Sequence, residues 1–417
     1  MRSERYNIFF TLTGLYFLAD LYMYFSLKTL IPSKYLRIYQ VLYILSSLLI
    51  YNSFYTFYHL ASTRNIFATP EINIHLATVI IALATKLIFA FVMLFQDSLR
   101  VLFGLGNATK NALTQQEQAT PFIPKRRKFM AQLATSIAAI PFFSLLYGVT
   151  KGKYAYTINP VKLAFDNLPK AFNGLKVVQI SDIHAGSLDN KSEVARGVQM
   201  INDLKPDLIV FTGDLVNSSK DEINPYLDVF KKLNATFGKF AILGNHDYYG
   251  SSDDNTYQGE YWADFRSKFQ TMGFNLLTNE NATVEKDGET IKILGVENWG
   301  AGRWFPKYGD LDTALQNVNE DDFCILLSHD PTHWDEKVIP HSRKFPLTLS
   351  GHTHGMQFGV NMPGFKWSPA QYRYKKWMGL YEEQGQYLYV NRGYGFLTFP
   401  GRVGMWPEIT VFELNQV

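Results

Sequence analysis

Four long apolar stretches dominate the first part of the chain, at 6–25, 38–60, 75–95 and 129–149. Each is long enough to cross a bilayer, which requires about 20 mainly apolar residues. The first contains one charged residue, Asp20, the third contains Lys86, and the other two contain none. A core helix of a soluble protein has a charged face, and these stretches do not. The pattern therefore predicts a membrane region of about four transmembrane helices within residues 1–150.

From residue 151 onward, short apolar runs alternate with amphipathic stretches typical of helices at 191–204, 221–233 and 261–272. The segment "VEKDGETI" predicts a hairpin whose two-residue turn is Asp287-Gly288. We therefore expect a layered α/β domain over 151–417, in which most strands are buried. The predicted strands are "LKVVQI", "DLIVFT", "FAIL", "IKILGV", "FCILLS", "PLTL", "YLYV" and "EITVFEL".

Charge differs sharply between the two parts: residues 1–150 carry a net charge of +8 and residues 151–417 carry −5, within the overall +3. Basic residues are enriched on the cytoplasmic side of membrane helices. Nine of them flank the spans on one side, against five on the other. We therefore expect an integral inner-membrane protein whose C-terminal domain is extracytoplasmic. The nine are Lys28, Lys34, Arg37, Arg100, Lys110, Lys125, Arg126, Arg127 and Lys128, and the five are Arg2, Arg5, Arg64, Lys151 and Lys153.

Two features of the membrane region allow more than one interpretation. The stretch "RRKFM" before the last span resembles a twin-arginine export signal, and it is also an ordinary basic flank of an anchor helix. Both interpretations place the C-terminal domain on the same side of the membrane. A charge in hydrocarbon is expensive, so Asp20 and Lys86 are candidates for functional groups; alternatively, they pair with each other or reach the membrane interface from the span ends.

Composition excludes two classes of site. Cys324 is the only cysteine, so an internal disulfide cannot form, and its apolar surroundings in "FCILL" indicate a buried packing residue. The C-terminal part is net acidic with scattered basic residues, so the charge pattern of a nucleic-acid-binding protein is missing. We expect no nucleic-acid partner.

Polar residues that suit metal binding follow five of the predicted strands. The carboxyl ends of strands in an α/β sheet are where neighbouring loops converge to build sites. One such motif alone is weak evidence, because Asp, Asn, His and Gly are common in turns. Their occurrence in one order, each directly after a buried strand, indicates one assembled site. The residues are Asp182 and His184 in "SDIH", Asp214 in "TGD", Asn245, His246 and Asp247 in "GNHD", His329 in "SH", and His352 and His354 in "GHTH".

The series D-x-H, G-D, G-N-H-D, H and G-H-x-H resembles the calcineurin-like metallophosphoesterase superfamily over about 151–417. The segments "NLPKAFNGLKVVQISDIHAG" and "GHTHGMQFG" are further similar to its membrane-anchored bacterial branch. This resemblance implies a four-layer α-β-β-α sandwich. Met356 departs from the pattern, because that branch often has glycine there; we expect the substitution to alter the loop without removing a ligand.

The resemblance also implies a site of two divalent metal ions, for which mixed nitrogen and oxygen ligands favour Mn, Fe or Zn over Ca. His246 would be a catalytic residue that binds no metal, and Asp247 would orient it. His333, His341, His59 and His75 are not expected in the site. Asp182, His184 and His354 would hold one ion, Asn245, His329 and His352 would hold the other, and Asp214 would bridge the two.

The implied activity is metal-dependent hydrolysis of a phosphate mono-, di- or pyrophosphate ester by a hydroxide that bridges the metals. The segment 365–377, "FKWSPAQYRYKKW", interleaves aromatic and basic residues as membrane-interface segments do, although a solvated loop is an equal alternative. Our preferred hypothesis for the substrate is a phospholipid or a lipid-linked phosphate. Some relatives cleave UDP-2,3-diacylglucosamine, but that cytoplasmic substrate conflicts with the predicted orientation. The alternatives are an anchored nucleotidase or phosphodiesterase acting on soluble substrates, and a non-catalytic receptor with a relic metal site.

Overall fold

The computed structural model describes residues 2–63, 69–114, 124–250, 259–303 and 305–417. Arg64, one of the residues used to predict the orientation, lies outside them. The chain divides into two compact units. The first comprises residues 1–67 and 74–147, and the second comprises residues 68–73 and 148–417.

The first unit is helical, and its four helices overlap the four predicted spans. Within the part of the chain that the structure describes, three segments are long and apolar enough to cross a membrane, namely Ser33–Leu60, Pro70–Gly106 and Arg126–Thr150. The first helix is less apolar, since it contains four tyrosines as well as Asp20. The helices are α1 (Arg2–Lys28), α2 (Leu36–Thr63), α3 (Pro70–Thr114) and α4 (Pro124–Thr150).

The interior of this helical unit explains the two intramembrane charges. Lys86 of α3 pairs with the carboxylate of Asp20 in α1, and its ammonium also donates to the Tyr16 hydroxyl at 2.5 Å. Tyr43 donates to the same carboxylate at 2.8 Å. Small residues at Ala131 and Ala134 are fully buried, which allows helices to approach closely within a bilayer. The prediction that Asp20 and Lys86 partner each other is confirmed.

Among its described residues, the second unit contains two six-stranded sheets, one two-stranded sheet and four further α-helices. The helices are α5 (Lys191–Asp203), α6 (Leu227–Phe230), α7 (Glu260–Thr271) and α8 (Leu311–Ala314). The strands are β1 (Thr157–Phe165), β2 (Leu175–Ile180), β3 (Leu208–Thr212), β4 (Gly238–Ile242), β5 (Asn275–Leu276), β6 (Glu280–Lys286), β7 (Glu289–Gly295), β8 (Cys324–Leu327), β9 (Leu347–Ser350), β10 (Val360–Met362), β11 (Phe365–Trp367), β12 (Gly379–Glu383), β13 (Gln386–Val390) and β14 (Glu408–Gln416).

The two large sheets pack face to face. Their strand orders are β1-β14-β2-β3-β4-β5 and β12-β13-β9-β8-β7-β6. Fully buried Val177 and Val210 of one sheet share a core with Ile293, Ile325 and Leu349 of the other. Helices α5 and α7 contribute to a second core on the outer face of the first sheet, and α8 contributes to a third core with strands of the other sheet. The four-layer α-β-β-α sandwich is therefore confirmed.

Local sequence patterns account for most elements, and the exceptions have physical causes. The hairpin turn forms as predicted, with Asp287 and Gly288 at φ angles of 51° and 80°. The helix predicted at 221–233 is wrong in form: the segment is a 3-10 helix, Lys220–Tyr226, followed by the short α6. Pro225 lies inside it and has no backbone N–H to donate to the helix.

Candidate metal centre

The seven residues predicted to bind metal all lie at one edge of the sandwich, directly after the carboxyl ends of β2, β3, β4, β8 and β9. Strands β2, β3 and β4 run parallel in one sheet, and β7, β8, β9 and β13 run parallel in the other. Parallel strands deliver the loops that follow them to a common edge. Six of the seven side chains are buried, and His352 is partly buried.

A first group of three potential ligands comprises Asp182, His184 and His354. Their ligand atoms all lie within 4.8 Å of one another. The Nε2 atoms of the two histidines are 3.0 Å apart, and Nε2 of His354 is 3.3 Å from Oδ1 of Asp182. Two imidazole nitrogens and one carboxylate oxygen around a common point are a donor set for a divalent cation.

A second group comprises Asp214, His329 and His352, again with ligand atoms within 4.8 Å of one another. Nδ1 of His352 is 3.3 Å from Nε2 of His329, which is 3.1 Å from Oδ2 of Asp214. The same Oδ2 atom lies 3.5 Å from Nε2 of His184 in the first group. Asp214 therefore connects the two groups, as a bridging ligand must.

Five of these residues adopt backbone conformations that side chains usually avoid. Their φ angles lie between 48° and 73°, in the left-handed region. Each such residue costs on the order of 1 kcal/mol or more and persists only where the surrounding structure enforces it. The strain is concentrated where side chains must turn sharply from strand ends into the site. The residues are Asp182, His184, Asp214, His352 and His354.

Gly351 shows why glycine precedes the paired histidines. A Cβ atom at this position would lie 1.9 Å from Oγ of Ser181 and 2.3 Å from Oδ2 of Asp182. The backbone N–H of His352 donates to both oxygens of Asp182, at 3.0 and 3.1 Å. Any side chain at residue 351 would therefore displace the carboxylate. Met356 also takes a left-handed φ of 46°.

Acceptors behind the histidines select the tautomers that leave a ring nitrogen free for a metal. Nδ1 of His329 lies 2.7 Å from the Thr212 carbonyl, which can only accept, so Nδ1 carries the proton and Nε2 faces the site. Nδ1 of His184 lies 3.1 Å from Oδ1 of Asn217, a contact that allows the same arrangement. His354 differs in that its Nδ1 is an acceptor. This nitrogen lies 3.2 Å from Nη2 of Arg402, and a guanidinium has only donors.

His246 lies beside the first group, with its ring centroid 4.9 Å from that of His184. Its Nδ1 is 2.8 Å from the carbonyl of Asn217, so Nδ1 donates and Nε2 is the available atom. Asp247 was expected to orient this ring. Its carboxylate instead accepts from the backbone N–H groups of Asp214 at 3.0 Å and Gly244 at 2.9 Å, and so fixes the two turns. The carbonyl of Asn217 takes the orienting position.

Sequence reasoning missed three further residues at this site. Nε2 of His352 is 3.0 Å from the Tyr374 hydroxyl and 3.4 Å from Oδ2 of Asp330. Arg402 is fully buried, and its guanidinium donates to the carbonyls of Arg392 at 2.7 Å and Gly395 at 2.6 Å. Only Tyr374 had a signal in the sequence, through its place in the aromatic and basic segment 365–377.

The remaining histidines do not belong to either ligand group among the described residues. His333 is buried and pairs with the Ser328 hydroxyl at 2.8 Å, outside both ligand groups. His341 contacts Asp312 at 3.3 Å in a loop. His59 and His75 lie in α2 and α3.

Comparison with known proteins identifies the family. Residues 4–153 match the family described as "Probable Calcineurin-like phosphoesterase, transmembrane domain", and residues 175–356 match "Calcineurin-like phosphoesterase". The metallophosphoesterase YkuE of Bacillus subtilis is 33% identical over 252 residues, which cover 60% of this chain and 82% of YkuE. The chain belongs to the calcineurin-like phosphoesterase family. It is an integral membrane protein, with a transmembrane domain of the kind found in that family.

Two other relatives share long stretches with this phosphoesterase family member. A transmembrane protein with a metallophosphoesterase domain from Danio rerio is 28% identical over an alignment that covers 76% of this chain and 69% of the relative. The UDP-2,3-diacylglucosamine pyrophosphatase LpxG of Chlamydia trachomatis is 32% identical and covers 55% of this chain and 81% of its own length.

The donor set fits the two divalent cations that the calcineurin-like family implies. Oδ1 of Asn245 is buried and has no hydrogen-bond partner among the described residues, while its Nδ2 donates to the Tyr249 hydroxyl at 3.1 Å. A buried acceptor without a partner is costly unless a cation or water satisfies it. Mixed imidazole, amide and carboxylate donors suit Mn, Fe or Zn better than Ca.

Electrostatics also favour cation binding at this phosphoesterase centre. Burial alone would raise the pKa of Asp214, but the neighbouring His329 and His246 hold it well below its usual range. Burial opposes a charge on His329, yet Asp214 raises the pKa of that histidine to about 10. Burial lowers the pKa of His352 to about 4. Asp214 is therefore anionic at neutral pH, and a bound cation would replace the proton on His329.

Glu297, two residues after β7, is a buried carboxyl group that sequence reasoning also missed. Its oxygens accept from Asn279 at 2.9 Å and Tyr248 at 3.3 Å. Burial raises its pKa from 4.5 to about 7. The protonated form is thus favoured in the folded state, and Glu297 destabilises the fold once it ionises. The contribution of Glu297 to stability is therefore fully present below the pKa of Glu297 in the unfolded state. It is lost as the pH rises through the pKa of Glu297 in the folded state.

We therefore expect Glu297→Gln to raise the free energy of unfolding by roughly 2–3 kcal/mol near pH 8, because a neutral amide replaces a buried carboxylate. The gain should disappear at pH values below 4.5, where the carboxyl is protonated in both states. Denaturant unfolding of the full chain in detergent, followed by tryptophan fluorescence across this range, measures the effect. Exposed Glu320→Gln is the control, and a pH-independent gain in the Glu297 variant would contradict the explanation.

Proposed function

We propose that this family member is a membrane-anchored, dinuclear-metal phosphoesterase that hydrolyses a phosphate mono-, di- or pyrophosphate ester. The observation that carries the proposal is the pair of ligand groups connected by Oδ2 of Asp214, which is 3.1 Å from His329 and 3.5 Å from His184. In this proposal the first cation would be held by Asp182, His184 and His354, the second by Asn245, His329 and His352, and Asp214 would bridge them.

The chemistry divides between the cations and the protein. Two divalent cations in such a site supply positive charge to a phosphoryl group and make a water molecule more acidic for in-line attack. The chain's own residues position these charges, and His246 supplies a proton to the leaving oxygen. Because the Asn217 carbonyl accepts from Nδ1 of His246 at 2.8 Å, the transferred proton is the one on Nε2, and the donating form of His246 is the imidazolium, which carries a proton on both nitrogens.

The proposed substrate is a phospholipid or lipid-linked phosphate. The last turn of α4 belongs to the same compact unit as the metal ligands. Its Gly148 carbonyl accepts from the backbone N–H of Arg402 at 3.2 Å, and the side chain of Arg402 contacts His354. One residue thus joins the end of a candidate membrane span to a proposed ligand. The name of the relative LpxG, which denotes an acylated phosphoanhydride substrate, supports the lipid class.

We further propose that the protein lies in the inner membrane and that its C-terminal domain is extracytoplasmic. The described basic residues Arg126, Arg127 and Lys128 precede the apolar part of α4, and residues 148–150 end that helix inside the catalytic unit. The positive-inside rule then places the N-terminal end of α4 in the cytoplasm. This argument does not depend on whether the less apolar α1 inserts.

The test is hydrolysis by the purified full chain with Mn²⁺, Fe²⁺ or Zn²⁺. We expect metal-dependent hydrolysis of bis-p-nitrophenyl phosphate that EDTA abolishes. Paired substrates then address the lipid class: dioleoyl phosphatidate with glycerol 3-phosphate, and geranylgeranyl diphosphate with methyl diphosphate. We expect kcat/KM at least about tenfold higher for the lipid in at least one pair, equivalent to ~1.4 kcal/mol. Equal rates within both pairs would favour a soluble substrate, and no turnover by folded protein would favour a receptor.

A further inference from the structure

A small hairpin beside the metal centre exposes apolar side chains. Among the residues that the structure describes, strands β10 and β11 pair only with each other, outside the two large sheets. At the tip, Met362 and Phe365 flank the Pro363-Gly364 turn and are 56% and 53% exposed. Two large apolar side chains at the end of a protruding hairpin lose contact with water only if another apolar phase covers them.

Trp367 of β11 connects the hairpin to neighbouring residues, since its ring contacts that of Phe358 with centroids 6.3 Å apart and its Nε1 donates to the Tyr372 hydroxyl at 3.3 Å. Near the hairpin in the chain, Met356, Phe358 and Tyr372 are 39%, 42% and 78% exposed. We call Met356, Phe358, Met362, Phe365 and Tyr372 the apolar surface. Exposed basic residues Lys366, Arg373 and Lys375 lie among them in the sequence. Aromatic and apolar side chains with neighbouring cations are typical of protein surfaces that enter the headgroup region of an anionic membrane.

This surface shares its support with the end of a candidate membrane span. The backbone of Val403 donates to Gln357 at 2.8 Å and accepts from Gly359 at 2.9 Å. Residue 403 also packs against Gly148 in the last turn of α4, where an added Cβ would lie 2.6 Å from Cγ2 of Val403. The hairpin begins at Val360, one residue after this support. A span that ends at the bilayer boundary therefore brings the hairpin to that boundary.

The opposite side of the surface reaches the metal centre. Met356 follows the proposed ligand His354 by two residues. Tyr374, which follows exposed Tyr372 and Arg373, places its hydroxyl 3.0 Å from Nε2 of His352. The guanidinium of Arg373 lies over the ring of Phe305, which in turn contacts His352 with centroids 4.8 Å apart. Segments that carry the apolar surface are therefore connected both to the metal centre and to the end of α4.

We infer that the apolar surface enters the headgroup layer of the membrane in which α4 ends, so that a lipid phosphate reaches the metal centre without leaving the bilayer. The occupant is a phospholipid surface with anionic headgroups, which the basic residues Lys366, Arg373 and Lys375 attract. This inference rests on the proposed function for its lipid substrate. The contact with the bilayer itself does not require turnover.

A label on the hairpin tests the contact directly. Cys324 is the only cysteine and is buried, so a thiol-reactive nitrobenzoxadiazole dye on the folded Phe365→Cys variant labels the hairpin selectively. The full chain is reconstituted in phosphatidylcholine–phosphatidylglycerol vesicles. We expect blue-shifted emission, quenching by nitroxide-labelled lipid, and several-fold weaker quenching by iodide than in the control. The control is Val417→Cys, which is 80% exposed at the sheet edge opposite the metals.

A second experiment links the contact to catalysis. The double substitution Met362→Asp/Phe365→Asp removes the apolar tip, and Val417→Asp is its matched control. We expect the ratio of phosphatidate turnover in vesicles to bis-p-nitrophenyl phosphate turnover to fall at least about tenfold in the double variant only. A Phe365 label as accessible to iodide as the Val417 label would overturn the inference, whatever the activity. If wild-type protein hydrolyses nothing while the label is lipid-protected, the proposed function fails and the membrane contact stands.

Discussion

Asp214→Asn is expected to lower kcat/KM for bis-p-nitrophenyl phosphate at least about a thousandfold, a loss of ~4 kcal/mol of transition-state stabilisation. The asparagine side chain has the same shape as aspartate. Its Oδ1 can keep the hydrogen bond that Oδ1 of Asp214 accepts from the backbone N–H of His246 at 2.8 Å. The substitution removes the negative charge between the two ligand groups. Without this charge, two bound cations would repel each other across a short distance. Metal content measured by elemental mass spectrometry should fall together with activity.

The matched control for this prediction is Asp228→Asn. Asp228 lies in α6 and pairs at 2.7 Å with Lys191 on an exposed part of the surface. An exposed pair contributes little, so activity and metal content should match those of the wild type. If Asp214→Asn retained both cations and most of its activity, the bridging role would be wrong, and the two groups would act independently.

His246→Asn is expected to reduce kcat while leaving metal content unchanged, because His246 donates a proton and holds no cation. Its effect should depend on the leaving group. For a substrate with an alkoxide leaving group, such as phosphatidate, we expect a decrease of about 10²–10⁴-fold. For bis-p-nitrophenyl phosphate the decrease should be much smaller, since nitrophenolate leaves without being protonated.

His341→Asn provides the control, since His341 lies in a loop and contacts Asp312. Steady-state rates on both substrates, with metal analysis of each variant, complete the experiment. Equal losses on the two substrates would show that His246 stabilises the transition state without transferring a proton. A loss of metal would show instead that His246 is a ligand.

The sequence was informative about the site because its residues follow buried strands. Each of β2, β3, β4, β8 and β9 lies in or overlaps a short, mainly apolar stretch of the sequence, which is a strong local signal, and the polar motif comes directly after it. The parallel order of those strands brings the motifs together. Asp214 and His329 are 115 residues apart in sequence and 3.1 Å apart in space for this reason.

The residues that contact the proposed ligands could not be predicted, because no local sequence pattern indicates a contact between distant segments. Arg402 reaches His354 from a loop with no motif of its own, and Asp330 adjoins His352 across two strands. The strand β1 was also missed. It is an edge strand with alternating exposed residues and contains Pro160, which is tolerated only where a backbone donor is not needed.

The close packing of Gly148 against Arg402 and Val403 has a consequence for proteolytic release. A cut after Thr150 that freed the catalytic domain from the membrane would remove the carbonyl to which Arg402 donates its backbone proton. The loop that holds the guanidinium beside His354 would lose one of its supports, and the surface that Val403 shares with the helix would become exposed. A shed domain would therefore be impaired as well as misplaced. The peptide chain through Thr150 retains the domain at the membrane, and the Gly148 contact makes the loop beside His354 depend on that attachment.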